Sequence, residues 1–208
     1  MDISRLVDEI ELRIVDSEQS REHVRDLRFK GYKNVFDSPE DSWDEWDDKS
    51  GTQILLAEDA SGAPIGTVRI IDSRFGLTEA DTYTDAHRKY FPENTSFVEG
   101  ARLVARGSAD IKKIVVQAAL WKATFLYALE KSVDQILVWS KRGPDRGYKN
   151  LQFEEITGGE FSHPDLGNKA HKTYCLDTQL SRQIYYSMDH PLKEFFFEYH
   201  HPSLMWFE

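Results

Sequence analysis

The sequence predicts a single α/β domain built on a mixed, mostly antiparallel central sheet flanked by helices. Three observations predict it. Short strand-like runs alternate with two longer stretches of helical period; two of the runs, 52–58 and 65–72, are joined by a tight Gly- and Pro-containing turn; and the longest helical stretch lies between two apolar runs. The tight turn makes an antiparallel hairpin, and the long helix supplies the crossover that one parallel pair needs. At 208 residues the chain is long enough for one sizeable core and short for two. The expected organisation is a domain over 1–183 and an aromatic-rich tail over 184–208.

Residues 10–15, IELRIV, alternate well enough for a first strand, which Asp16 and Ser17 close. Residues 18–33 read as a helix, with Ser17 as its cap, Val24, Leu27, Phe29 and Tyr32 as a partial apolar face, and Arg28 within it. The stretch 34–50 is an acidic loop broken by Pro39, yet it carries Phe36, Trp43 and Trp46, and aromatics in a polar loop imply that it folds over something. The hairpin follows, with Arg69 in its second strand, and then a long polar connection over 73–95.

Residues 96–108, SFVEGARLVARGS, form the strand around which the rest is organised. Val98, Ala101, Leu103 and Val104 give it β-type content, and Arg106-Gly107-Ser108 ends it, offering Ser108 as the cap of a helix over 110–131. In that helix Ile111, Ile114, Val115, Ala118, Trp121, Phe125 and Leu129 recur at steps of three and four. Residues 135–140, QILVWS, make the strand that can run parallel to the central one. A short helix started by Pro144, a brief strand over 153–157, a glycine-containing loop over 158–169 and a final strand over 171–177 follow. Cys175 lies in that last strand, where a small core residue is the plain reading. The tail carries Tyr185, Tyr186, Phe195, Phe196, Phe197, Tyr199, Trp206 and Phe207. So many aromatics need a partner: the domain itself, a pocket they close, or a second subunit in a homodimer.

Composition narrows the function. One cysteine excludes a disulfide framework and fits a reducing compartment. No signal-peptide pattern and no run of eighteen apolar residues is present, so the expectation is a cytoplasmic protein without a membrane span. A net charge of −10 argues against nucleic acid as a partner. Between positions 99 and 150, however, ten Lys or Arg face five Asp or Glu, a basic island suited to one anionic partner or to a solvated helix flank. His190, His200 and His201 with Asp189 match no metal spacing, so no metal is expected. There is no Gly-x-Ser-x-Gly, P-loop or dinucleotide fingerprint.

The chemistry-bearing pair is Glu99 and Arg102. Three apart on a regular strand, they face opposite sides unless a bulge at Gly100 re-aims one. A buried carboxylate either pairs with a cation, the plainer reading, or sits in a cleft with a raised pKa.

The order of elements resembles the GNAT acyltransferase fold, in which the central strand splays from its neighbour and an acyl thioester lies in the gap. Tyr148-Lys149-Asn150-Leu151-Gln152-Phe153 is similar to that fold's Tyr-x-x-x-Gly-Phe motif, and Gly107 and Ala109 fit part of its phosphate loop, with Val104 where Arg is usual. A narrower set, Arg28 with Tyr32, Glu45 with Asp48, Arg69, then Glu99 with Arg102, resembles the polar signature of acyl-homoserine-lactone synthases and N-acyl amino acid synthases over about 27–153.

The resemblance implies an N-acyltransferase, of the kind used in autoinducer synthesis, acting on a small amino acid or homoserine-lactone-type acceptor. It uses no permanently bound cofactor; the donor is an acyl-phosphopantetheine thioester, on acyl carrier protein by preference or on CoA. Glu99 would be the base and Tyr148 the proton donor to the leaving thiolate. Arg28, Tyr32, Trp43, Trp46, Glu45, Asp48, Arg69 and Arg102 would bind substrate or order the cleft, with Asp48 on Arg69 and Glu45 on Arg28, while a carboxylate-binding role stays open for Arg28 and Arg102. Val104, Arg106, Gly107 and Ser108 would meet the donor. Lys112, Lys113, Lys141, Arg142, Arg146 and Lys149 would receive the acidic carrier protein. A short-chain CoA-dependent acetyltransferase and a non-catalytic binder of acyl ligands are the rival readings.

Overall fold

The computed structural model describes residues 7–141, 145–201 and 203. Eight strands form one sheet in the order β1-β2-β3-β4-β5-β8-β6, with β7 also paired to β8. They are β1 (Ile10–Ile14), β2 (Thr52–Asp59), β3 (Pro64–Asp72), β4 (Phe97–Ala105), β5 (Gln135–Lys141), β6 (Glu154–Glu155), β7 (Phe161–His163) and β8 (Lys169–Asp177). The helices are α1 (Glu18–Gly31), α2 (Ala86–Tyr90), α3 (Lys113–Glu130), α4 (Asp145–Asn150), α5 (Thr178–Ser187) and α6 (Lys193–Phe197). Every pairing is antiparallel except β4 with β5, which α3 connects.

The two faces of the sheet have different occupants because the strands alternate. Leu55, Ala57, Val68, Ile70 and Val98 point to α3 and make the main core with Val115, Val116, Ala119, Leu120 and Ala123. Gly66 lets α3 approach closely, since a Cβ there would lie 2.5 Å from a methyl of Val116. On the other face Ile54 and Leu56 meet Val24 and Leu27 of α1. Ser17 caps α1 as expected, accepting from the Ser20 amide while Ser20 Oγ accepts from the Ser17 amide.

Two features position the site. The first is a bulge in β4, at Arg102 rather than Gly100. Thr67 pairs with Val104 and Arg69 with Ala101, so Arg102 and Leu103 together oppose Val68, and Arg102 takes φ +52°. The extra residue brings Arg102 onto the face that Glu99 already occupies. The second is a splay: β4 pairs with β5 only through Phe97–Gly100 against Gln135–Val138, although β4 continues to Ala105 and β5 to Lys141. Beyond Gly100 the two strands part, and a cleft of about 990 Å³ fills the gap.

Several boundaries differ from expectation. The long helix starts at Lys113, not 110, because Ser108 is used in a turn: its amide donates to the Ile111 carbonyl and its hydroxyl accepts from the Ile111 amide. The 73–95 connection contains two 3-10 turns and α2, and the 158–169 loop contains β7. Tyr185, Phe195 and Phe196 of the tail are buried in the main core, and α5 runs across the 183/184 position. Pro144 lies outside the described residues.

Candidate active site

Three arginines from three different elements meet on the α1 face. Arg28 in α1 is fully buried and donates through both terminal nitrogens to Asp47, at 2.7 and 2.9 Å, and to the Ser42 carbonyl at 3.1 Å. Arg69 in β3, also fully buried, donates to Asp44 at 2.5 Å and to Glu79, with Asp47 3.1 Å away. Arg102 gives only Nη2, to Asp44 at 2.9 Å and Glu79 at 3.0 Å. His163 Nε2 donates to Glu79 at 2.9 Å, completing the ring of contacts.

Burial alone would raise the pKa of Glu79, but Arg69, the His163 hydrogen bond and Arg102 outweigh it and hold the carboxyl at about 2. Asp47 is likewise lowered by Arg28 and Arg69 against its burial. Three guanidinium groups thus face three carboxyl groups, of Asp44, Asp47 and Glu79.

This corrects the expected pairing of Glu45 with Arg28 and Asp48 with Arg69. Both acids are exposed, and Asp48 accepts from Trp43 Nε1 instead. Asp47 and Asp44 take their places because the loop turns tightly around Trp46, with Asp44 accepting from the Trp46 amide and Asp47 from the Asp44 amide. Trp46 is buried, under the ammonium of Lys49, and Trp43 lies beneath Arg21, Arg25 and Arg28. Both tryptophans clamp the loop, as aromatics in a polar segment suggested.

Glu99 is the acid of the site without an ion pair among the described residues. It is wholly buried, and its two oxygens accept from the Ala80 amide at 2.8 Å and Trp139 Nε1 at 2.6 Å. Burial first, and then the negative charge of Glu79, raise its pKa against those two hydrogen bonds. The ion-pair reading, plainer from the sequence, therefore gives way to the raised carboxyl.

Trp139 stands between Glu99 and the cleft, which it lines together with Tyr32, Gly100, Arg102, Val104, Arg106, Tyr148 and His171. Tyr32 borders the α1 side, its phenol raised by burial against the nearby Arg102 and Arg28. Tyr148 stacks on Tyr174 at 5.3 Å and meets Trp121 edge-on; burial raises its phenol well above the usual range, so it stays protonated. Gln152 adopts φ +62°, the left-handed conformation that explains why glycine suits that motif position, and the Phe153 amide then reaches the Tyr148 carbonyl.

In the turn after β4, Gly107 has φ +78°, and a Cβ there would fall 2.4 Å from the Ile111 carbonyl oxygen. Lys112 and Lys113 are exposed beside Ile114, an apolar side chain 62% exposed; Lys149 is exposed, and Lys141 borders the cleft. Arg142 and the side chain of Arg146 lie outside the described residues.

The family model of the N-acyl amino acid synthase FeeM matches residues 24–175, the span holding every residue of this site. The chain belongs to the FeeM family of N-acyl amino acid synthases. No curated protein matches it. The solved structure of FeeM, an N-acyl amino acid synthase from uncultured soil microbes, is 18% identical, with a TM-score of 0.69 over 89% of this chain and 97% of FeeM. The AHL synthase LasI is 16% identical, with a TM-score of 0.63 over 83% of this chain and 93% of LasI. An acetyltransferase of the GNAT family from Staphylococcus aureus Mu50 is 16% identical, with a TM-score of 0.55 over 81% of this chain and 99% of its own. These structures show the GNAT-like fold.

As a FeeM-family member the chain is an N-acyltransferase, and its geometry suits that chemistry. Among the described residues the β4 segment 101–105 has no strand partner on the β5 side, so an extended thioester arm can lie along its backbone. Glu79, Asp44, Asp47, Trp139, His163 and His171 were missed as site residues in the sequence. The acids Asp44 and Asp47 stand in a run of several, DSWDEWDD, that carries no period by which to choose among them.

Proposed function

We propose that this FeeM-family member transfers a fatty acyl group from the pantetheine thioester of acyl carrier protein to the amine of a free amino acid. The observation that carries the reading is the splay of β4 from β5, with an acid of raised pKa directly behind its wall. The amine attacks the thioester carbonyl, a C–N bond forms and the C–S bond breaks. Glu99 takes the amine proton and Tyr148 gives one to the departing sulfur. Trp139 must yield its hydrogen bond for Glu99 to meet the amine, a loosening that fits a site tightened only by substrate.

The carrier protein is favoured as donor by the rim of the cleft. Lys113 and Lys141 line the cleft, Lys112 and the exposed Ile114 flank Lys113 in sequence, and Lys149 is exposed, so positive charge gathers at this end of a chain of net charge −10. An acidic carrier surface fits that rim.

The test supplies lauroyl carrier protein or lauroyl-CoA to the purified enzyme with a panel of amino acids. N-lauroyl amino acids should form, with kcat/KM for the carrier protein roughly tenfold or more above that for CoA and falling with salt. In Glu99→Gln, kcat should drop by about 10²–10⁴ with the fold retained, and the rise of rate with pH should vanish. Glu99→Gln with an unchanged rate and pH profile would remove Glu99 as the base.

A further inference from the structure

We infer that the short tail helix α6 is the movable end wall of the acyl chain's site and that Lys122, a positioning residue, sets where that wall stands. Together they fix the longest chain the enzyme accepts. The inference rests on the fatty-acyl transfer proposed above and names what limits its donor.

The cleft at the splay suits the polar arm of a thioester donor better than its hydrocarbon. Seven Lys and Arg line it and, among the described residues, no Asp or Glu, so a buried chain would find charge rather than apolar cover there. Apolar cover begins on the far side of Gly100. The six-membered ring of Trp121 packs 3.5 Å from where a Gly100 Cβ would stand, and Tyr148, which lines the cleft, meets both Trp121 and Phe153. Behind these rings runs a seam between Phe125 of α3, Ile136 of β5 and Leu176 of β8 on one side and Tyr185, Phe196 and Phe197 of the tail on the other.

The seam has room for only about 10 Å³. A lauroyl chain needs on the order of 300 Å³, at roughly the 30 Å³ share of a water molecule for each carbon. One wall must therefore move. The sheet and the main core hold α3, β5 and β8, whereas α6 is a single short helix with Glu194 and Glu198 exposed beside it.

Lys122 ties α6 to α3. It is fully buried, its ammonium donates to the carbonyls of Phe195 and Phe196, the latter at 3.3 Å, and the rings of Phe195 and Tyr199 lie 5.2 and 5.3 Å away. No carboxylate pairs with it among the described residues; its acceptors are main-chain carbonyls. Burying an ammonium without an anion costs more than burying a methionine of the same length. What the lysine adds is a fixed place for the backbone that carries Phe196 and Phe197, the two rings that α6 gives to the seam.

The test supplies carrier protein bearing octanoyl to hexadecanoyl chains, with one amino acid as acceptor. The wild type should show a cut-off length beyond which kcat/KM falls. Phe197→Ala opens room for about three methylenes, so the cut-off should move outward by about two to four carbons. Lys122→Met keeps the volume and loses the donors: chains just beyond the wild-type cut-off should gain about fivefold or more against the best chain, while the acceptor KM changes by less than about twofold. In the wild type, amides of 193–199 should exchange with deuterium faster when lauroyl-CoA is bound than when CoA is, a comparison that needs neither a variant nor turnover. An unmoved cut-off in both variants, or exchange that the lauroyl chain leaves unchanged or slows, would overturn the assignment and leave the acylation reading intact. Faster exchange with lauroyl-CoA but no acylation of any amine would keep the wall and remove the acylation reading.

Discussion

Glu79 joins Arg69, Arg102 and His163, and so ties β3, β4 and β7 into one unit. Replacing it with Gln leaves two buried guanidinium groups short of charge, so Glu79→Gln should destabilise by roughly 3–5 kcal/mol in urea denaturation. The pH dependence follows from the direction of its shift. A carboxyl lowered from 4.5 to about 2 on folding stabilises fully above pH 4.5, and that contribution is lost as pH falls through 2. His171 adds a second acid-sensitive step: burial lowers it from 6.5 to about 4, so stability falls as pH drops from 6.5 toward 4. His171→Phe should flatten the upper window and Glu79→Gln the lower one, read from urea midpoints between pH 7 and 2. Glu99 and Arg102 were legible as charges three apart in an apolar strand, whereas Arg28 and Arg69 were picked out only by the resemblance to the synthases' polar signature. Glu79 was not, since its 3-10 turn in a polar connection has no period to reveal burial.

Strands and helices were read within a few residues wherever the apolar period was sustained, and the parallel β4–β5 pair followed from the α3 crossover. A bulge at Gly100 was the alternative to Glu99 and Arg102 facing opposite sides; the bulge lies at Arg102 instead, because its place depends on pairing with β3, which a single strand does not encode. The start of α3 was misplaced because Ser108 has two uses, helix cap or turn former, and the steric demand at Gly107 selects the turn. Gly107→Ala forces a side chain into a left-handed position and against the Ile111 carbonyl. It should cost about 1–3 kcal/mol and lower Tm by roughly 2–10 °C in calorimetry. Because Gly107 sets the entry to α3, where the donor is proposed to bind, the donor KM should rise while the KM for the acceptor changes little.

For the molecule as a whole, charge is distributed by function. The acidic excess keeps the chain negative overall, whereas Lys30, Lys33, Lys113, Lys141 and Lys169 line the cleft. Charge reversal at Lys112, Lys113 and Lys149 together should raise the carrier-protein KM tenfold or more and leave the lauroyl-CoA KM within about twofold, with the difference fading at high salt. An unchanged carrier-protein KM would place the docking face elsewhere. The aromatic tail was legible as something that must be covered; Phe196 and Phe197 meet Phe125 of α3 edge-on, and buried Lys122 donates to the carbonyls of Phe195 and Phe196, while Trp206 and Phe207 lie outside the described residues. Which face would receive them depended on long-range packing that no local pattern carries.

The central claim is amine acylation at the splay, with Glu99 as base. Mass spectrometry of lipid extracts from cells overproducing the enzyme, set against cells producing Glu99→Gln at equal level, tests it most directly. New long-chain N-acyl amino acids present with the wild type and absent with the variant are the expected result. The same acyl amides in equal amount from both would contradict it.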